Sequence, residues 1–184
     1  MVVLTTERLT LRPFVSSDAA HLAWIYTDPN VMRYIPPGTP WDHAKIDRFV
    51  AVCGERYISP GFGMWAVELR DGAPKVIGHC GLQHLAKTET IEIAWLLGAP
   101  YWNRGLASEA AKAVVAHGFT QLGFTRIVAV AEPPNGASLR IMQKLGMTLQ
   151  GAARYYDRDL TMYALDAVEY TANQKAAAAS EPNR

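Results

Sequence analysis

The chain has 184 residues and a mass of 20.2 kDa, a size typical of one domain with a sizeable buried core. Apolar residues make up 49% of it and charged residues 19%, which excludes a wholly disordered chain. The formal charge of +1 argues against nucleic acid or an anionic membrane surface as the partner. We therefore expect one domain over residues 1–174 and a flexible tail over residues 175–184.

The cysteine and histidine content excludes further classes of protein. Two cysteines cannot build a disulfide framework, and neither they nor the five histidines show metal-ligand spacing, so no bound metal is expected. The first residues lack the features of a signal peptide, and no apolar run approaches the roughly 20 residues that span a bilayer. These features predict a cytoplasmic protein.

The spacing of apolar residues alternates along the chain between the two-residue period of strands and the three- to four-residue period of helices. Strands are predicted over residues 8–14, 62–70, 75–85, 90–97, 125–131, 147–154 and 160–170. Helices are predicted after the polar residues 16–18, from Pro40 onward with Thr39 as the cap, and over residues 108–122 and 138–145. The order βααβββαβαββ predicts an α+β fold, a mixed sheet flanked by helices with one parallel βαβ unit.

The most informative stretch runs from residue 95 to residue 110. A buried strand ends there, a short loop follows and a long helix begins. Backbone N–H groups at such a helix start have no internal partners and form an anion site that the helix dipole favours. Gly105 and Ala107 add little bulk, so a diphosphate can approach the backbone closely. On the loop alone, an ordinary strand–loop–helix junction is the commoner explanation. No P-loop or GxGxxG pattern is present.

Three segments carry a family resemblance. Residues 6–14 read T-x-R-L-x-L-R-P-F, residues 101–110 read Y-W-N-R-G-L-A-S-E-A, and residues 135–147 read N-x-x-S-x-R-x-x-x-K-L-G-M. Together they resemble the GNAT superfamily of acyl-CoA-dependent N-acetyltransferases, and in particular its Rim-type branch, which acetylates ribosomal-protein N-termini. The resemblance extends from about residue 4 to residue 170 and implies a mostly antiparallel GNAT-like sheet.

The resemblance implies acetyl-CoA as the cosubstrate, bound without a metal. The family's pyrophosphate-loop pattern falls on Trp102, Gly105 and Ala107, with Trp102 in place of the usual Gln or Arg. The Asn that contacts the pantetheine or acetyl end of the cofactor corresponds to Asn135. The implied cofactor-binding residues are Leu96, Asn103, Arg104, Gly105, Leu106, Ala107, Ser108, Asn135 and Arg140.

Two residues are candidates for proton transfer. The position of the family's usual Tyr general acid is Met142 here, and the resemblance to Rim-type enzymes points to Ser138 instead. Glu92 lies in the middle of a predicted strand, on one face with Ala94 and Leu96. A carboxylate among apolar neighbours is expected to have a raised pKa, which suits a general base. The alternative is a solvated carboxylate on an incompletely covered sheet face.

The acceptor is less closely specified. The family builds the wall of its acceptor site where four aromatic residues of this chain fall: Tyr34, Trp41, Tyr155 and Tyr156. The resemblance implies direct acetyl transfer to a primary amine, with a protein N-terminus as one candidate. Alternatives are a small amine (an amino acid, a polyamine or an aminoglycoside) and a non-catalytic CoA-binding module. Cys53 and Cys80 are predicted to be buried structural thiols. A homodimer is a family-level expectation.

Overall fold

The computed structural model describes residues 2–56, 61–71 and 75–180, which form two compact units. The first unit takes in residues up to Gln83 and Ile93–Val114, and the second takes in His84–Glu92 and the residues from Val115 onward. Strand β5 contributes its first two residues to the second unit and its remaining residues to the first.

The first unit is built on strands with helices before and after them. Its elements are β1 (Leu4–Thr5), β2 (Leu9–Arg12), α1 (Asp18–Tyr26), α2 (Pro29–Met32), α3 (His43–Arg56), β3 (Met64–Leu69), most of β4 (Val76–His84), most of β5 (Ile91–Leu97) and the first part of α4 (Leu106–Thr120). The strands hydrogen-bond in the order β1-β2-β3-β4-β5, and the β1–β2, β2–β3 and β3–β4 pairs are antiparallel.

The second unit contains the parallel part of the sheet. Its elements after α4 are β6 (Arg126–Ala131), α5 (Gly136–Lys144), β7 (Thr148–Tyr155), β8 (Arg158–Asp166) and α6 (Ala167–Ser180). The strand order is β5-β6-β8-β7, in which β5 and β6 are parallel and the other two pairs antiparallel. The predicted α+β class, with a mixed and mostly antiparallel sheet flanked by helices, is confirmed.

The C-terminal end differs from the prediction. Strand β8 ends at Asp166 instead of Tyr170, and α6 begins at the next residue. Ala167 donates its N–H to the carbonyl of Thr125, beyond which an alanine-rich sequence with high helix propensity continues. The segment from residue 175, predicted as a flexible tail that is either frayed or helical, is helical as far as Ser180, and residues 181–184 lie outside the described part of the chain.

The first residues of the helices also differ from the prediction, because capping depends on which side chain reaches the first N–H groups. Helix α3 begins at His43 and not near Pro40, since the Asp42 carboxylate accepts the N–H of Lys45 at 2.7 Å. Ser17 precedes α1 but forms no side-chain cap. The predicted turn at residues 71–72 and helix end at residues 59–61 fall partly outside the described residues.

A buried ion-pair network holds β2 against its neighbours. The Arg12 guanidinium donates to Asp18 at 2.8 Å and to Glu68 at 2.6 Å, so β2 is joined to α1 and β3. The hydrogen bond to Asp18 contributes most to raising the pKa of Arg12. Because Asp18 is 1% exposed, removing Arg12 would leave a buried carboxylate without this partner.

Tyr26 and His79 form a buried pair in the core of the first unit. Tyr26 stacks on Trp41, with ring centroids 4.7 Å apart, and its hydroxyl lies 2.6 Å from Nδ1 of His79. Burial raises the pKa of Tyr26 and lowers the pKa of His79 from 6.5 to about 4. Both groups are therefore uncharged near neutral pH, and they share one hydrogen bond in which the imidazole tautomer sets the donor.

The buried pair of Tyr26 and His79 predicts that the folded protein loses stability in acid. The unfolded chain binds a proton at His79 near pH 6.5, whereas the folded chain does so only near pH 4. The stability that neutral His79 contributes is complete above pH 6.5 and is lost as the pH falls toward 4, by about 3 kcal/mol in total. His79→Asn keeps a hydrogen-bonding group for Tyr26 but does not titrate. Urea unfolding between these pH values should therefore show a shallower decline for His79→Asn, and equal slopes would contradict this origin.

Candidate active site

The loop before α4 has the geometry of an anion-binding site. Residues 102–105 are exposed, whereas Leu106 is buried and anchors the start of the helix. Gly105 accepts the N–H of Glu109 at 3.0 Å, so it is the last residue before α4. Asn103 and Gly105 have positive φ angles of 57° and 78°. The N–H groups of residues 105–108 come before the first intrahelical donor, the N–H of Glu109, so they have no acceptor within the helix and can donate to an anion at the positive end of the helix dipole.

A polar brace holds this loop and helix. The Arg8 guanidinium donates to Glu109 at 2.7 Å and to the carbonyl oxygen of Arg104 at 2.9 Å, and the Thr6 hydroxyl donates to Glu109. Burial alone would raise the pKa of Glu109, but the hydrogen bonds from Thr6 and Arg8 outweigh it and lower that pKa. The two motifs that contain these residues do not by themselves indicate this pairing, since they lie about 100 positions apart.

The other predicted residues of this segment take different positions. Arg104 is exposed, with its guanidinium carbon 5.8 Å from the ring centroid of Tyr101. Trp102 is 44% exposed and donates its indole N–H to the carbonyl of Leu97 at 2.6 Å, so it secures the loop to the end of β5. The side chain of Leu96 is part of the buried core, which leaves its backbone as the group that a cofactor could contact.

The start of α5 groups three of the predicted residues. Asn135 is the N-cap, and its side-chain oxygen accepts the N–H of Ser138 at 3.2 Å. A hydrogen bond from Asn135 to a cofactor would therefore come from its amide nitrogen. Ser138 is half-buried, and Arg140 is exposed with its guanidinium close to Gly136.

Glu92 is a buried carboxylate with a tyrosine partner. It is 4% exposed and pairs with Val128 of β6, so the alternative of a solvated carboxylate is wrong. The hydroxyl of Tyr156 donates to Oε2 of Glu92 at 2.7 Å, and the N–H of Ala86 donates to that hydroxyl at 3.2 Å. Tyr156 was predicted to lie in the wall of the acceptor site, and its contact with Glu92 was not predicted. The only sequence signal was an aromatic residue in a tight hairpin turn.

The remaining aromatic candidates are packed to different degrees. Tyr34 is half-buried beneath the guanidinium of Arg33. Trp41 stacks on Tyr26 and has the ammonium of Lys45 4.5 Å from its ring centroid. Tyr155 packs against a small buried cluster that includes Leu85.

The two cysteines are unsuited to nucleophilic catalysis. Both are free and buried. Burial raises the pKa of Cys53 to about 12 and raises the pKa of Cys80 further, so neither forms a thiolate near neutral pH. Among residues 2–56, 61–71 and 75–180, no group of three or more His, Cys, Asp or Glu side chains could hold a metal ion. No helix in those same ranges is long and apolar enough to cross a membrane.

Comparison with known proteins identifies the class. The model of the acetyltransferase (GNAT) domain matches residues 8–148. The chain is 34% identical over 152 residues to the uncharacterized N-acetyltransferase YnaD of Bacillus subtilis, covering 80% of this chain and 84% of YnaD. The fold, the loop before α4 and these matches define an acetyl-CoA-dependent N-acetyltransferase. The chain belongs to the GNAT acetyltransferase family.

Solved structures share this architecture. A GNAT-family acetyltransferase from Bacillus anthracis superimposes with a TM-score of 0.78 at 29% identity, over 91% of this chain and all of that one. RimL, a ribosomal L7/L12 α-N-protein acetyltransferase solved with coenzyme A, has a TM-score of 0.75 over 92% of this chain and 99% of its own. At 15% identity, RimL shows the shared fold alone. The findings support acetyl transfer to an amine without specifying the acceptor.

Proposed function

We propose that this enzyme transfers the acetyl group of acetyl-CoA directly to a primary amine, with the α-amine of a protein N-terminus as the first acceptor to test. Glu92 would act as general base and Ser138 as general acid. The observation that carries the proposal is the buried carboxylate of Glu92, which accepts a hydrogen bond from Tyr156 near the start of β5. A buried carboxylate with a fixed orientation is suited to accepting a proton from an ammonium group.

Acetyl-CoA would bind at the loop before α4. The N–H groups of residues 105–108, which have no acceptor within the helix, would donate to the oxygens of a pyrophosphate, and the exposed Arg104 adds a nearby positive charge. The absent side chain at Gly105 leaves room beside the backbone, because a Cβ there would meet only Arg8, at 3.5 Å. Asn135 and Arg140 at the start of α5 would supply further polar contacts.

The reaction needs a proton removed and a proton supplied. A free amine is mostly protonated near neutral pH, so Glu92 would take one of its protons before the nitrogen attacks the thioester carbon. The C–N bond forms as the C–S bond breaks. The hydroxyl of Ser138 would donate its proton to the departing sulfur and regain one from the nitrogen, which loses its second proton as it becomes an amide. A covalent cysteine intermediate is disfavoured because burial keeps Cys53 and Cys80 as neutral thiols.

The acceptor is tested by measuring thiol release from acetyl-CoA against a panel of amines. The panel holds short peptides with free N-termini, the same peptides with blocked N-termini, and small amines such as amino acids, polyamines and aminoglycosides. We expect release with the free peptides and none with the blocked ones. Release with small amines alone would establish the small-amine alternative, and no release with any acceptor would favour a CoA-binding module.

Gly105 allows a matched test of the cofactor loop. Gly105 and Gly123 both have positive φ, 78° and 69°, and neither has a neighbour that an added Cβ would strike. Alanine at either position should destabilise the unliganded protein by about 1–2 kcal/mol through the left-handed backbone. Only Gly105→Ala should also reduce the rise in Tm on adding acetyl-CoA, by weakening binding about tenfold through one displaced N–H contact. Equal ligand-induced shifts in the two variants would place the pyrophosphate elsewhere.

A further inference from the structure

The turn between β7 and β8 contains residue types that are rare in a turn of this backbone conformation. Tyr155 pairs with Arg158, so two residues, Tyr156 and Asp157, close the hairpin, with φ angles of 54° and 57°. Two consecutive left-handed residues are typical of a type I′ turn, which favours Asn-Gly. A bulky side chain at positive φ is rare and disfavoured. The shape of the turn therefore does not explain tyrosine at its first position.

The contacts of the Tyr156 side chain supply an explanation. Its hydroxyl donates to Oε2 of Glu92 at 2.7 Å and accepts the N–H of Ala86 at 3.2 Å. Ala86 is itself left-handed, with φ of 45°, so two strained backbone positions meet at one hydroxyl group. Glu92 is 4% exposed, whereas Tyr156 is 36% exposed, so the phenol lies between the buried carboxylate and the surface. Strain of this kind persists where the surrounding structure requires it, and it concentrates at functional sites.

We propose that Tyr156 is a positioning residue that fixes the carboxylate of Glu92 for proton transfer, an inference that rests on the proposed role of Glu92 as the base. The carboxyl group is attached through rotatable side-chain bonds. The hydrogen bond from Tyr156, itself held by the Ala86 N–H, restricts the carboxylate to one orientation. A base held in one orientation reacts more often than one that samples several.

The test begins with Tyr156→Phe, which removes the hydroxyl and keeps the ring. We expect kcat to fall about tenfold, as for a loosened catalytic group, while KM for acetyl-CoA and for the acceptor changes less than twofold. Tyr170→Phe is the matched control, because its ring packs on Phe119 in α4 and it should keep wild-type kinetics. If Tyr156→Phe instead raises the acceptor KM with kcat unchanged, Tyr156 lines the acceptor site and the proposal is overturned.

A double-mutant cycle separates this proposal from the one on which it rests. In a Glu92→Gln background, Tyr156→Phe should change kcat less than twofold, because the group that it positions is gone. If Glu92→Gln lowers kcat but Tyr156→Phe does not, the positioning role alone is overturned. If Glu92→Gln is itself without effect, the base assignment fails and the positioning role fails with it.

Tyr156→Asn gives an independent readout. Asparagine suits the left-handed turn position, so this variant should raise Tm while lowering kcat as far as Tyr156→Phe does. A tyrosine retained for the stability of the hairpin would show the opposite result, a lower Tm with kcat unchanged, and that result overturns the proposal.

Discussion

Glu92→Gln is expected to lower kcat/KM near neutral pH by about 10²–10⁴-fold, the range that general base catalysis contributes. Glutamine keeps the shape of the side chain and an oxygen that can accept from Tyr156, but it cannot take the proton of an ammonium group. The loss should shrink at alkaline pH, because the acceptor amine then loses its proton to bulk water. The measurement is the pH profile of kcat/KM for wild type and variant with the same acceptor.

Glu89→Gln is the control for this experiment. It makes the same isosteric change three residues earlier in the chain, at an exposed position, and should leave the profile unchanged. If Glu92→Gln changes kcat/KM less than about threefold at every pH, roughly 0.65 kcal/mol, Glu92 is not the base. Proton removal would then fall to water or to another residue.

Ser138→Ala is expected to lower kcat by about 10²-fold or more, the lower end of the range for general acid catalysis. The loss should persist across the pH range, because deprotonating the amine does not help the sulfur to leave. The substitution preserves the Asn135 cap, which uses the backbone N–H of residue 138 and not its hydroxyl. The CD spectrum and Tm of the variant should therefore match wild type.

Two further variants show whether the hydroxyl itself matters. Ser138→Thr keeps a hydroxyl and should retain more activity than Ser138→Ala. Ser17→Ala removes the same atom at the start of α1, where the serine makes no cap, and should keep wild-type kcat. If an acceptor that is deprotonated at the assay pH restores the rate of Ser138→Ala, then Ser138 acts on the amine and its assignment as the acid is incorrect.

Much of the fold could be predicted because local signals agreed with the final structure. The seven predicted strands are all present, and all of them except β7 contain buried residues, which the spacing of apolar residues indicates. The long helix α4 follows from its helical spacing, and Gly123 after it has the positive φ of a helix C-terminus. Where helices begin was less predictable. Asp42, not Thr39, caps α3, because only the contact with Lys45 decides between neighbouring polar residues.

The candidate site likewise has features that could be predicted from the sequence and features that could not. The residue types at the start of α4 and the spacing from Asn135 to Gly146 are local patterns, so the family could be predicted from them, and so could the candidate loop for acetyl-CoA. The brace between Arg8 and Glu109 joins positions about 100 residues apart, and no local pattern specifies which partner an arginine meets. The residues next to Glu92 in the sequence likewise do not indicate whether its carboxylate is solvated or covered by other parts of the fold.

The sequence by itself therefore determined the fold class, the family, and which residue types are candidates for cofactor binding and proton transfer, because these follow from periodicity and from short motifs. Only the tertiary structure decided that Glu92 is buried and that its partner is Tyr156, 64 positions further along the chain. Burial and pairing are properties of atoms that packing brings together, and a hydrogen bond forms only when a donor and an acceptor meet at about 3 Å. That distance is set by how the β7–β8 turn and the residues around Ala86 fold, which no single segment encodes.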